Sequence, residues 1–508
     1  MKKKALKRGV VALAAGMVLP LAAHAAEADL QVKIDKLTKQ MEELKGQVQR
    51  IEDKSLGKWL SIGGSYQFRM DSLHGKTAAY YDVTPMFFGA PAGTVVESFK
   101  PKNETLYTNK FALDLKAKAT QDVTVNVKLG MYKVFGSQTD NAVNAGYFAD
   151  RTSLMDGVVG HVPSDSKLNV DRAYATWSNI MDQPVWFSVG RRPSTDGAPT
   201  NLKSNTARPG NGGTPALLVN YAFDGMTLGY APDIEMLPGF YAKVCYGRGF
   251  DSGYRTASNS LKDTDMLGVA VIPVDTDPLR VWMQWNRGFD IFDQPEALSG
   301  NMAGSRPTVN LGSIDWFGIG AMSTLKKVGP GDLNFFVDGG VSITHPNNAR
   351  AMSNQSPFGL GYGTAADMMS PTGPVKKSNT GYAVFAGLRY DLPSKTKLGF
   401  EYNYGSEHWI TFAPAADDMW TSKVGTRGHV FEPYVIQELN LKPISSYFAK
   451  AFFKLGYQYY DFQYTGSNNW VGAPVKISSI TAATPLVGMM GQPVKEAHDV
   501  YGTFEVHF

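Results

Sequence analysis

The fold class this chain predicts is all-β: a transmembrane antiparallel β-barrel of about 16 strands, within a range of about 16–18, carrying a coiled-coil helix at its N-terminal end. Three observations predict it. Apolar and polar residues alternate with a period of two from Trp59 to Phe508. The alternating segments group into hairpins whose short turns take turns with long loops. The composition is poor in charge, 19%, and rich in Gly (52), Tyr (24) and Phe (27), against about 25% charge in an average soluble protein.

The N-terminus comes first. Lys2, Lys3, Lys4, Lys7 and Arg8 precede an apolar stretch from Gly9 to Ala23, and Ala23-His24-Ala25 offers small residues at the two positions a signal peptidase reads. Residues 1–25 are therefore expected to be a cleaved signal peptide, with an anchoring helix as the alternative. The apolar run is too short to span comfortably and polar residues follow at once. Its removal takes five basic side chains away and lowers the formal charge from +4 to −1. The basic pI therefore says nothing about nucleic acid, and no nucleic-acid partner is expected. One cysteine, Cys245, excludes an internal disulfide framework. The absence of Cys-x-x-Cys-His excludes covalently attached haem, and no cofactor is expected.

Residues 27–56 follow a different period. Leu30, Ile34, Leu37, Met41, Leu44, Val48 and Ile51 recur at alternating spacings of four and three, the seam of a coiled coil. An isolated helix cannot bury so narrow a stripe, so this arm is expected to self-associate on the periplasmic side, or to lie against the barrel or another protein. Gly57 ends it.

The barrel is expected over residues 59–508. Leu60, Ile62, Gly64, Tyr66, Phe68 and Met70 share one face, opposite Ser61, Gly63, Ser65, Gln67, Arg69 and Asp71. In 107–134, Tyr107, Phe111, Leu113 and Leu115 oppose Lys110, Asp114, Lys116 and Lys118, and the chain turns at Thr120-Gln121-Asp122 before Val123, Val125 and Val127 oppose Lys128. Strands of about 11 to 13 residues suit a tilted membrane crossing. Further hairpins are read at 265–274/279–289, 313–324/332–344, 380–390/397–405 and 431–442/447–462. The long loops are 72–104, 135–167, 290–312, 345–379, 406–430 and 463–496. Residues 216–223 and 226–231 are both strand-like across Asp224-Gly225, a pair that favours a two-residue hairpin. Counting both gives an odd number of strands, so 193–223 is placed in a long loop, one that would narrow the lumen if folded inward.

The chain ends on a strand. Val500, Gly502, Phe504, Val506 and Phe508 share the outer face, opposite Asp499, Thr503, Glu505 and His507. Phe504, Val506 and Phe508 resemble the C-terminal assembly signal of outer-membrane barrels. With this signal, the arm and the alternation in hand, the chain is similar to bacterial porins, and more narrowly to a porin family of metal-respiring bacteria. Val189-Gly190-Arg191-Arg192 likewise resembles the Gly-Arg strand ends of porins. The resemblance implies an outer-membrane location in a Gram-negative bacterium, a lipid-facing exterior, homo-oligomers such as trimers, and passive passage of small hydrophilic solutes or ions. It also brings in multihaem cytochromes as partners, for which the barrel would serve as a sheath in an electron conduit.

Charged residues on the inner parity are tolerated only if water reaches them, since a charge facing lipid costs about 2–4 kcal/mol. Lys110, Asp114, Lys116, Lys118, Lys128, Arg192, Arg280, Arg389, Glu401, Glu438, Lys450 and Lys454 are the pore-lining candidates. Their basic excess points to mild anion preference; internal ion pairing is the alternative. Tyr402, Tyr404, Tyr457 and Tyr459 fit an interfacial girdle, and inward Tyr460 a solute slide. No metalloprotease, nucleophile-elbow or phosphate-loop motif occurs, so no enzyme is expected. Asp263/Asp265 and Asp275/Asp277 are read as turn residues rather than Ca²⁺ ligands. A surface adhesin or receptor built on the long loops is the remaining alternative.

Overall fold

The structure is a computed structural model, and it describes residues 40–41, 59–137, 161–192, 198–207, 217–219, 223–296, 304–352, 356–413, 418–442 and 449–508. The expected signal peptide and nearly all of the expected arm lie outside these residues. The chain divides into two units, Met1–Ser61 and Ile62–Phe508. In the first, Gln40 and Met41 are helical and exposed.

Strands follow in order: β1 (Leu60–Thr77), β2 (Tyr80–Asp82), β3 (Thr94–Val96), β4 (Lys102–Lys118), β5 (Val123–Val134), β6 (Asn169–Trp177) and β7 (Val185–Arg192). Next come β8 (Phe223–Tyr230), β9 (Tyr241–Phe250), β10 (Thr264–Asp275), β11 (Leu279–Phe292), β12 (Asn310–Val328) and β13 (Gly331–Pro346). The last are β14 (Thr380–Asp391), β15 (Thr396–Gly405), β16 (Gly428–Glu438), β17 (Lys450–Phe462), β18 (Pro485–Leu486) and β19 (Val494–His507). Among the described residues sixteen of these form one closed barrel, and β18, β2 and β3 make a small separate sheet. Each wall strand pairs antiparallel with its predecessor, and β19 returns to β1 in a register running from Ser65↔His507 to Thr77↔Val494.

All the short turns lie at one end of the barrel, and the long loops at the other. The alternation that predicts the strands also sorts their faces. Ile319, Leu455, Leu228 and Val337 are 53–58% exposed on the outside, while their chain neighbours Gly320, Lys454, Thr227 and Phe336 on the inside are buried. An apolar collar open to its surroundings on every strand is the lipid-facing surface of a transmembrane barrel. Inner aromatic rings lie flat on facing glycines: a Cβ at Gly320 would stand 2.5 Å from the Trp282 ring, and one at Gly456 2.3 Å from Tyr501. Only glycine permits that approach.

The wall is uneven in height. β6, β7 and β8 have 9, 8 and 8 residues, whereas β12 and β13 have 19 and 16. At about 3.3 Å per residue and a tilt of about 40°, eight residues rise about 20 Å, short of the roughly 25 Å apolar band of such barrels.

The Asp224-Gly225 pair is a turn signal that the even strand count overrode in the sequence reading, and the structure agrees. It is no hairpin turn: both residues lie within β8, where Gly225 pairs with Gly190 and Gly247 on its two sides. A side chain at Gly225 would meet the Tyr246 carbonyl oxygen at 2.1 Å, so this glycine serves close strand packing. Phe223, expected in the loop, opens the strand. The loops are also shorter than expected at their ends, because β1 continues to Thr77 and β16 begins at Gly428.

Candidate functional site

The barrel interior is shaped by the segment between β7 and β8. Strands β8 and β16 stand eight places apart in either direction around the ring, yet the loop that leaves β7 is fastened to β16. Lys203 Nζ reaches Glu432 Oε1 at 2.6 Å, and Asn205 Nδ2 donates to Glu438 Oε1 at 2.9 Å. Lys397 Nζ holds both Asn205 Oδ1, at 2.6 Å, and Glu438, at 2.7 Å. Arg389 and Lys450 donate to the carbonyl oxygens of Leu202 and Asn205, and Lys454 Nζ lies 3.4 Å from that of Lys203. Residues 198–207 thus form a strap that crosses the lumen.

A second loop, 406–427, folds inward beside it. Leu217, Leu218, Trp409 and Trp316 are fully buried together. Thr411 Oγ1 donates to the Leu217 carbonyl at 2.7 Å, and Trp409 Nε1 to that of Val424 at 2.7 Å. Buried polar groups need such partners, because an unmade hydrogen bond costs about 1–3 kcal/mol. Lys423 on this loop bonds both Glu401 and Glu432. Burial alone would lower its pKa, but Glu401, Glu432 and Asp418 hold its ammonium well above the ordinary lysine range.

The twelve inward candidates divide by place. Arg389, Glu401, Glu438, Lys450 and Lys454 sit on β14–β17 beneath the strap. Lys454 is fully buried and pairs with Glu505 at 2.9 Å, Arg389 with Asp391 at 2.7 Å. Lys110, Asp114, Lys116, Lys118 and Lys128 lie on the inner face of β4 and β5, where Asp114, Lys116 and Lys118 are exposed to water. Lys110 Nζ stands 5.2 Å from the ring centre of Tyr132. Arg192 is on β7, its Nε donating to Ser188 Oγ at 2.9 Å; it edges a half-open pocket that Tyr174, Thr176 and Trp186 also line. Arg280 is buried on β11, with Tyr241 OH at 2.7 Å and Asp275 at 3.9 Å. Cys245 is on the inner face and half-buried, its Sγ accepting from Thr227 Oγ1 at 3.2 Å.

Sequence reasoning did not single out the centre of the network. Glu432 is fully buried and also accepts from Tyr501 OH at 2.8 Å. Asp418 accepts from Gln458 Nε2 at 2.7 Å, and Arg69 links Asp71 at 2.6 Å to Asp499 at 3.0 Å. Strand parity places Arg69, Asp71, Glu432 and Asp499 on the inner face. For Lys203, Asp418 and Lys423, carried by loops, no periodicity points inward.

Tyr460 is fully buried, its hydroxyl donating to the Thr421 carbonyl at 3.2 Å, so it presents no ring to a passing solute. Tyr402 and Tyr457 face outward and bond His429 at 2.8 Å and His498 at 2.6 Å. Asp263 and Asp265 are both engaged by Arg248, at 2.7 and 3.0 Å. Among the described residues no cluster of His, Cys, Asp and Glu is arranged to hold a metal ion.

Comparison with known proteins places the chain as follows. OmpT of Vibrio cholerae in its trimer form is 12% identical, with 89% of this chain and 100% of that one covered and a TM-score of 0.39. OprB of Pseudomonas putida is 11% identical over 92% and 97%, at a TM-score of 0.42. The anion-selective porin from Comamonas acidovorans is 10% identical over 88% and 99%, at 0.40. No curated protein matches the chain. Residues 100–508 match the family described as "Protein of unknown function (DUF3373)". That match spans well over half of the sequence, and the chain belongs to the DUF3373 family.

Proposed function

We propose that the protein is an outer-membrane pore for passive diffusion of small hydrophilic solutes, with a preference for anions. The observation that carries this reading is the division of the interior into two unlike sides. On the β14–β19 side, the carboxylates of Glu401, Glu432, Glu438 and Glu505 are matched by lysines and covered by the strap and the 406–427 loop. On β4, β5 and β7, Lys110, Lys116, Lys118, Lys128 and Arg192 face inward with Asp114 as the acidic member of that set. Fixed positive charge on a wet wall backed by low-dielectric lipid concentrates anions in the passage. The expected signal peptide and the aromatic C-terminal strand support the location.

The same strap counts against a cytochrome sheath. A protein threaded through the barrel would need the room that residues 198–207 and 217–219 occupy. Reconstitution in planar bilayers tests the proposal. Stepwise conductance is expected, with a zero-current potential of anion-selective sign across a KCl gradient. A sealed bilayer would remove the pore reading, and a cation-selective potential would remove the anion preference.

A further inference from the structure

At the long-loop end, a half-open cleft lies between the 463–493 loop, the 345–379 loop and the short strand β18. Its walls mix apolar and polar groups: Phe358, Trp420, Phe462, Val487 and Met490 contribute beside Thr364, Tyr464, Ser467, Asn469 and Gln492. A concave surface that sets apolar side chains beside a few convergent polar groups is the usual form of a small-molecule site. Arg427, just before β16, also lines it and is 2% exposed.

The hydrogen-bond partners of the Arg427 guanidinium are all backbone carbonyls. Nε donates to the Trp409 carbonyl at 3.0 Å, Nη1 to that of Thr465 at 3.0 Å and Nη2 to that of Asn469 at 2.8 Å. A guanidinium has five N–H donors, so these bonds leave two. Every acceptor is a neutral carbonyl, and among the described residues the one carboxylate acting on Arg427, Glu407, acts through space without contact. Elsewhere in this interior the buried cations Lys203, Lys423 and Lys454 touch carboxylates, while Arg192 bonds the hydroxyls of Ser188 and Thr227. Burial brings the Arg427 pKa down to about 10, so it stays charged at neutral pH. A buried positive charge without a counter-ion is costly, and an incoming anion relieves that cost.

We infer that this cleft binds a small organic anion with an apolar body, an aromatic carboxylate being the class that fits. Its carboxylate meets the free donors of Arg427 in the charge-assisted geometry that suits this pair, and its ring lies against Trp420, Phe462 and Phe358. The site is carried by the loops, apart from the basic wall of β4 and β5. It therefore stands or falls separately from the pore reading.

Calorimetric titration of the full chain in detergent tests it, with benzoate as the probe. Benzyl alcohol keeps the ring without the charge, and acetate keeps the charge without the ring. Saturable benzoate binding at least tenfold tighter than either is expected, reduced at least tenfold by Arg427→Gln. Because Arg427 also ties two loops together, Met490→Trp is the second variant: it fills the cleft, leaves the guanidinium and its three bonds in place, and should abolish benzoate binding equally. No saturable heat with benzoate overturns the proposal. So does benzyl alcohol binding as tightly, or undiminished benzoate binding in Met490→Trp.

Discussion

Glu432→Gln should release the strap. The Glu432 carboxylate is fully buried and meets Lys203 at 2.6 Å, Lys423, and Tyr501 OH at 2.8 Å. Glutamine keeps the shape but removes the charge. Lys423 then retains Glu401, but Lys203 is left with Asp418, 3.8 Å away. Stranding a buried charge in this way costs about 3–5 kcal/mol. At about 1.4 kcal/mol per decade, the ratio of docked to undocked strap falls by about 10²-fold to several times 10³-fold. The contacts of Asn205 with Glu438 and Lys397 survive, so undocking is transient rather than complete. Two measurements read it: tryptic cleavage after Lys203, whose rate follows the open population when reclosing is fast, and single-channel traces, which should show excursions to a higher level. Tyr501→Phe removes one hydrogen bond to a charged group and should shift the same ratio by about 1.5–3 kcal/mol. Cleavage and conductance within twofold of wild type in a folded Glu432→Gln barrel would refute the strap's dependence on this ion cluster.

Three further outcomes are expected. Lys116→Glu combined with Lys118→Glu places two negative charges on the exposed inner face of β4 and should move the zero-current potential towards cations without loss of folding. Trp409→Ala empties a fully buried site packed on Gly340 and Gly405; a loss of about 3–5 kcal/mol from the loop packing should appear as higher, noisier conductance, and an unchanged trace would contradict it. Ile319→Arg, on a lipid-facing position 58% exposed, should cost about 2–4 kcal/mol in refolding into bilayers. Equal midpoints in a denaturant titration would show that this residue does not face lipid.

The hairpins at 107–134, 265–289, 313–344 and 380–405 were legible because each strand buries one face and offers the other to lipid. That constraint writes a period of two into the residues themselves. The segment around 216–231 was harder for a physical reason. Leu217, Leu218 and Val219 are apolar because they pack inside the lumen against Trp409 and Phe412, and an inward plug selects the same residue types as an outward wall. Likewise, Asp-Gly is a turn signal only where nothing crowds the glycine, and at Gly225 two neighbouring strands do. For the interior, parity alone brings out the charges on strands, including Arg280, Glu401 and Lys454. It says nothing about which of them a loop will cover. That depends on Lys203 and Lys423 meeting carboxylates that are more than a hundred residues away for one and 22 or fewer for the other.

The low stretch of wall at β6–β8 has a consequence for the surrounding membrane. A bilayer sealing against strands of eight or nine residues on one flank and sixteen to nineteen on the other cannot keep one thickness around the circumference. Acyl chains beside Met226 and Leu228 must shorten or splay, and that puckered crescent of lipid carries an energy no change in the channel can relieve. Neighbouring molecules able to share the crescent would reduce its length, which gives this protein a preferred direction in the plane of the membrane.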